Sequence, residues 1–273
     1  MDWEPAHADH SIDQVVIMST IDPALDPDTF DEMVVAVRRL ANAHGFTDRS
    51  DQQEPILAPP VAPGQPIIIS LGNEVPTRRR VVYRQIAAGA VVGEFSVGAT
   101  SVSVSTSTYR RWANFSGTFI ELFDSLEASA QILSRIKSVR LQYLDRFRSI
   151  PGGGDHFEVL SRNSPFIVDS LRSASAAFHV HSGSFDLSEP NVRKLTNVNI
   201  DVSDLSGPVP PDMRKQISIL CMGQDEALTG VLSDPIERIQ SLHLYLKTLF
   251  ANVISPEAAA RVALNPDSNG SHS

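Results

Sequence analysis

Cysteine is nearly missing from this chain: Cys221 is the only one in 273 residues. That excludes an intrachain disulfide and any zinc or iron–sulfur site built on several thiolates. Cys221 lies in an alternating apolar run, Ile217 to Met222, which predicts a buried, inert thiol. Long apolar runs are missing too. None approaches the ~18 residues of a membrane-spanning helix, so no membrane partner is expected. The opening Met1-Asp2-Trp3-Glu4 is acidic and lacks the basic and apolar stretches of a secretory leader, so the cytoplasm is the expected compartment.

Catalytic signatures are absent as well. There is no Gly-x-x-x-x-Gly-Lys phosphate loop, no His-Glu-x-x-His, no Gly-x-Ser-x-Gly elbow and no Gly-x-Gly-x-x-Gly. His179 and His181 stand two apart, so on a strand they share one side. Two imidazoles alone are as easily a half-exposed strand face as a metal site. His7, Asp9 and His10 fall in a polar stretch that reads as a tail. Arg238-x4-His243 matches an Arg-x4–6-His ribonuclease spacing. Arg38 and Arg39 with His44, and Arg172 with His179, match it equally, as 19 arginines and 8 histidines allow by chance. No catalytic residue, metal or cofactor is therefore assigned.

The composition that remains is globular: 42% hydrophobic and 20% charged. The formal charge of −9 is unevenly placed. Residues 1–60 hold 12 acids and 3 bases, which accounts for all of it. Arg78 to Arg148 hold 11 bases and 5 acids. Arg78, Arg79, Arg80, Arg110, Arg111, Arg140, Arg146 and Arg148 are the candidate partner- or anion-binding residues, because guanidinium forks fit carboxylates and phosphates. Either an external anion meets them or the acidic N-terminal segment, Asp22 to Glu54, lies against them. The acidic total suits a protein partner better than nucleic acid, which needs an excess of cations to displace counterions.

Periodicity predicts the elements. Asp13–Ile21 reads as a strand. Asp26-Pro27-Asp28 opens a helix that Gly45 ends. Residues 48–66, with five prolines, read as a loop. Strands follow at 66–71, 80–86, 90–97 and 101–107. A long helix spans Tyr109 to about Leu133, and Trp112, Phe115, Phe119 and Phe123 make an apolar stripe along it. These four either line a cavity between helix and sheet or simply fill the core beneath a sheet. A strand over 135–147 places Val139, Leu141, Tyr143, Asp145 and Phe147 on one face and Arg140, Arg146 and Arg148 on the other.

Pro151-Gly152-Gly153-Gly154 is the best boundary. After it come a short helix from Ser164-Pro165, strands at 177–187, 194–204 and 215–222, a long helix from Asp234-Pro235, and a short turn capped by Ser255. The organisation read from this is a tail (1–10), an N-terminal half (11–150), a C-terminal half (151–264) and a disordered end (265–273). The fold class is α+β, with two pseudo-repeated halves of strand, helix, antiparallel strands and long helix. By analogy of layout it is TATA-binding-protein-like or helix-grip-like, and the two sheets either stay apart or join into one.

Three stretches carry a family resemblance: Phe95 to Val104 with Tyr109-Arg-Arg-Trp112 and Phe115; Arg135 to Arg146; and Leu242-His243 with Leu249-Phe250, Ile254-Ser255 and Glu257. Together they resemble a sporadically distributed family of bacterial and archaeal proteins of about this length, marked by a Tyr-x-x-Trp helix, a Leu-Arg-Tyr-Ile-Asn strand and a C-terminal Ala-His helix. This chain has Gln142 where that family tends to Arg, and Asp145 where it has Asn. The resemblance implies a fold and an extent, about residues 11–260, and no chemistry. The expected function is a non-enzymatic interaction protein, such as an accessory or antitoxin-like neutralising subunit in bacterial defence, with a homodimer also allowed. The alternatives are a ligand-binding module around the aromatic stripe and a nuclease-like enzyme with a basic groove.

Overall fold

The computed structural model describes residues 2–55, 77–150, 154–172, 177–204 and 215–264. Its elements in chain order are β1 (Trp3–Pro5), β2 (Ile12–Ile21), α1 (Pro27–Ala43), β3 (Asp48–Pro55), β4 (Thr77–Ala87), β5 (Ala90–Gly98), β6 (Ser101–Thr106), α2 (Trp112–Ala130), β7 (Ile136–Ser149), α3 (Asp169–Arg172), β8 (Phe178–Asp186), β9 (Val192–Asp204), β10 (Lys215–Ala227), α4 (Pro235–Val253) and α5 (Pro256–Arg261). The strands form one ten-stranded sheet in the order β3-β4-β5-β6-β2-β7-β10-β9-β8, and β1 adds to the end of β7 beyond β2. Every pairing is antiparallel.

Side chains alternate across a strand, so the register decides which residues share a face. Ile17 stands opposite Val104, Val104 opposite Phe95, and Phe95 opposite Tyr83. On the other side Ile17 stands opposite Leu141, and Tyr143 opposite Cys221, which meets Val198. All of these are buried on one face. The three long helices lie there. Tyr83 donates its hydroxyl to the Val34 carbonyl of α1 at 3.3 Å. Helix α1 packs beside α2, and α4 packs across β7 and β10. Gly223 is where α4 comes closest, since a Cβ there would stand 2.8 Å from a methyl of Leu242.

Local chemistry sets the helix ends. The Asp26 carboxylate accepts from the Thr29 amide at 2.9 Å, and Pro27 occupies the first turn, where no amide is needed. Gly45, at φ 82°, turns the chain out of α1, and Phe46 then donates back to the Ala41 carbonyl. Helix α2 ends at Gln131 in the left-handed region, followed by a 3-10 turn, Ile132–Arg135. Ser255 caps α5 by accepting from Ala258.

Three readings of the sequence change, and one that was open is decided. The first residues are not a tail: Trp3 is fully buried, and its indole N–H donates to the Asp155 carbonyl at 3.1 Å. A three-residue strand is too short for periodicity to reveal. Residues 48–55 are not a loop but the edge strand β3. It carries no apolar residue before its final proline, so no hydrophobic pattern marks it; backbone pairing and the ions Arg84–Asp48 (3.6 Å) and Arg79–Asp51 (3.3 Å) hold it. The helix expected from Ser164 begins only at Asp169, because the Ser164 hydroxyl accepts from Phe166 two residues on and closes a turn instead. The strands of both halves form one sheet, with β2 and β7 side by side. The strand expected at 66–71, the boundary glycines 152 and 153, and the end at 265–273 lie outside the described residues.

The burial of Trp3 gives a direct prediction. Trp3→Ala lowers stability by about 3–5 kcal/mol, the usual cost of emptying a large aromatic site. Urea unfolding measures it, and a change under about 1 kcal/mol would show that the N-terminal strand is not part of the core.

Candidate functional site

Residues from three distant stretches of the sequence converge beneath the helices. Tyr109 precedes α2, Trp112 starts it, Tyr143 and Asp145 alternate inward from the middle of β7, and His243 projects from α4. Trp112 stacks flat on His243, with ring centroids 4.2 Å apart and planes 7° apart. The Trp112 indole N–H donates to Gln240 Oε1 at 2.6 Å. Tyr143 Oη lies 2.9 Å from His243 Nδ1. Tyr109 meets Tyr143 edge to face at 6.2 Å and shares a hydrogen bond with its hydroxyl. Behind them Asp145 is buried and accepts from Ser11 Oγ at 2.7 Å.

Burial fixes the protonation of this cluster. The His243 imidazole is pushed down to about 4 by desolvation, with the Lys247 charge adding to it. It is therefore neutral near pH 7, and its Nδ1 shares one hydrogen bond with the Tyr143 hydroxyl, the donor being set by the imidazole tautomer. The Asp145 carboxyl is pushed up to about 7 by full burial, opposed by the Ser11 hydrogen bond and reinforced by Asp13. Burial also raises both tyrosines, and Cys221. The Cys221 thiol therefore resists ionisation. The cluster is a closed polar and aromatic seam joining α2, β7 and α4.

Beside it, on the far side of Tyr109, is a pocket of about 200 Å³ between the end of α1, the start of α2 and strands β4 and β6. Arg110, Arg111 and Phe115 of the predicted residues line it. The other stripe residues go elsewhere. Phe119 and Phe123 pack ring to ring at 4.6 Å inside the core and fill the space between helix and sheet. Trp112 faces His243.

The remaining predicted arginines divide by strand parity. Arg78 and Arg80 of β4 and Arg140, Arg146 and Arg148 of β7 point to the face opposite α1, α2 and α4, called here the open face. The two groups are four strands apart, roughly 19 Å. Arg79 points to the helix face, where it pairs with Asp31 at 2.6 Å and covers the Phe30 ring. On the open face Arg80 donates to Ser96, Arg140 to Gln224 through two nitrogens, and Arg146 pairs with Asp13 at 2.6 Å. Acids of the segment Asp22 to Glu54 thus meet arginines of the basic middle at Arg79 and Arg84, and Asp13, which precedes that segment, meets Arg146. Around the β7 arginines Val16 of β2, Leu144 of β7 and Leu220 and Met222 of β10 form an apolar row, with Asn197 and Asn199 of β9 alongside.

Arg238 and His243 do not act together. Arg238 binds Glu189 and, at 3.0 Å, the buried Asp225, and Arg238 together with Lys194 holds the Glu189 carboxyl down to about 2. His179 and His181 do share the open face, beside Asp201 and Asn197. No group of three metal-binding side chains occurs among the described residues. Ser11, His10 and Gln240 join the seam without any prior sequence signal; the nearest was Asp145, a lone acid on an otherwise apolar strand face.

The pH dependence of stability tests the seam. Asp145 ordinarily titrates at 3.8, so between about pH 4 and pH 7 the native chain holds a proton that the unfolded chain has released. Its contribution to stability falls as pH rises. His243 ordinarily titrates at 6.5, so between about pH 6.5 and pH 4 the unfolded chain takes up a proton that the native chain refuses. Its contribution falls as pH falls. Each slope amounts to on the order of 3 kcal/mol, and the two oppose one another. Asp145→Asn therefore gives a Tm that rises from about pH 4.5 to 6.5, and His243→Gln one that falls over the same range. Parallel Tm profiles for both variants and the parent would refute this account. No protein-family model matches the chain, and comparison with curated proteins and with solved structures gives no match.

Proposed function

We propose that this protein is a non-enzymatic interaction protein whose open sheet face receives a protein partner. The observation that carries the reading is the one-sided cover of the sheet among the described residues. Helices α1, α2 and α4 share one face, and the other presents accessible polar side chains, with 58% of His179 and 46% of Asp201 exposed. Its apolar row of Val16, Leu144, Leu220 and Met222 sits among amides and hydroxyls. Its arginines are matched by the chain's own acids: Arg84 by Asp48 and Glu94, Arg146 by Asp13, Arg193 by Glu226. A near-neutral surface of mixed character complements another protein surface better than a phosphate backbone. In this role the protein is a cytoplasmic accessory subunit that binds without turning anything over.

The reading includes an internal duplication in a TATA-binding-protein-like layout. The strand order supports it: from the central β2–β7 pair outward, β6, β5 and β4 on one side mirror β10, β9 and β8 on the other. The long helices α2 and α4 each follow the last strand of a half.

Leu144→Gln combined with Leu220→Gln tests the proposal, since both side chains are half-exposed on the open face. At native expression the parent migrates in a complex larger than its 29.7 kDa. The double variant, with an unchanged Tm, runs as the lone chain. A parent that runs alone, or a complex that survives the substitutions, would overturn the reading. Salt-sensitive retention of nucleic acid lost in Arg140→Ala/Arg146→Ala would replace the protein partner by nucleic acid.

A further inference from the structure

The pocket at the start of α2 gathers two cations with no carboxylate beside them. Several arginines around the sheet do have one, as Arg79 has Asp31, Arg146 has Asp13, Arg193 has Glu226 and Arg238 has Glu189, while Arg140 donates to the Gln224 amide instead. Arg110 and Arg111 make no ion pair among the described residues, and both are exposed. They line the pocket of about 200 Å³, and no Asp or Glu is among the described residues that line it. Thr108 and Asn114 add a hydroxyl and an amide at the same wall, while Phe46 and Phe115, both buried, give it an apolar floor.

We propose that this pocket binds a small organic anion, a carboxylate or phosphomonoester with a short apolar or aromatic body. The two guanidinium forks match the paired oxygens of such a group and, lacking an internal carboxylate, keep their donors for it. The aromatic floor takes the body of the ligand. The size sets an upper limit: pockets for drug-sized ligands start at about 300 Å³, so this one suits a molecule of roughly ten non-hydrogen atoms. A nucleotide is too large. The site lies on the helix side of the sheet and is independent of whether the open face receives a partner.

Calorimetric titration of the full chain with phenyl phosphate, benzoate, inorganic phosphate and the neutral benzamide tests this. Phenyl phosphate or benzoate binds saturably and raises the Tm by mass action, and whichever binds tighter identifies the head group. Benzamide does not bind, and inorganic phosphate binds more weakly for want of the ring. Arg110→Ala and Arg111→Ala each weaken the preferred anion about tenfold, as expected for the loss of a hydrogen bond to a charged group, without changing the Tm of the unliganded chain. A linear response equal to that of chloride, or equal binding by the Arg110→Ala/Arg111→Ala double variant, would overturn the proposal.

Discussion

Strand β7 is the member on which the other parts lean. It pairs along its length with β10, along most of its length with β2, and at its end with β1. With a neighbour on both sides its backbone has no alternative partner in water, so its position fixes the register of both flanks. Its inward side chains then carry the helix layer. Val139, Leu141 and Phe147 are fully buried, and Tyr143 reaches His243 of α4, a hundred residues away in the chain. The stack of Trp112 on His243 draws α2 into the same arrangement.

Asp145 is the exception on this strand. A carboxyl buried in an apolar layer favours its neutral form, and one serine hydroxyl is its hydrogen-bond partner. That serine, Ser11, belongs to the N-terminal segment that also supplies Trp3 to the core. The polar seam and the N-terminal strand are therefore coupled through neighbouring positions of β7. His243 pushes the pH dependence the other way, because its imidazole is buried neutral against Tyr143. Two desolvated groups of opposite kind keep the seam uncharged above about pH 4 and below about pH 7.

The charge segregation of the sequence acquires a structural meaning. Strand β3 comes from the acidic segment and β4 from the basic one, and they pair directly. Asp13 on β2 reaches Arg146 on the neighbouring β7. Most of these ions are partly exposed, so each pair contributes little to stability on its own. Their effect is on specificity: they leave the open face close to neutral and leave Arg110 and Arg111 as the cationic pair at a pocket.

What the sequence determined by itself is the set of strongly patterned elements. Alternation over 135–147 put Tyr143 and Asp145 on one face with Val139, Leu141 and Phe147, Asp26 marked a helix start and Ser255 a capped turn, because these signals are local. The arginines at 140, 146 and 148 were legible as one strand face for the same reason. The tertiary structure alone decided the rest. A strand held by backbone pairing and ions, such as β3, has no hydrophobic period to read. Trp3 looks like part of a polar tail until β7 supplies the surface that buries it. The meeting of Tyr109, Trp112, Tyr143 and His243, the acid partners of each arginine, and the pocket at Arg110 and Arg111 all depend on contacts between distant segments. Those contacts are set by which strands pair, and no local spacing encodes them.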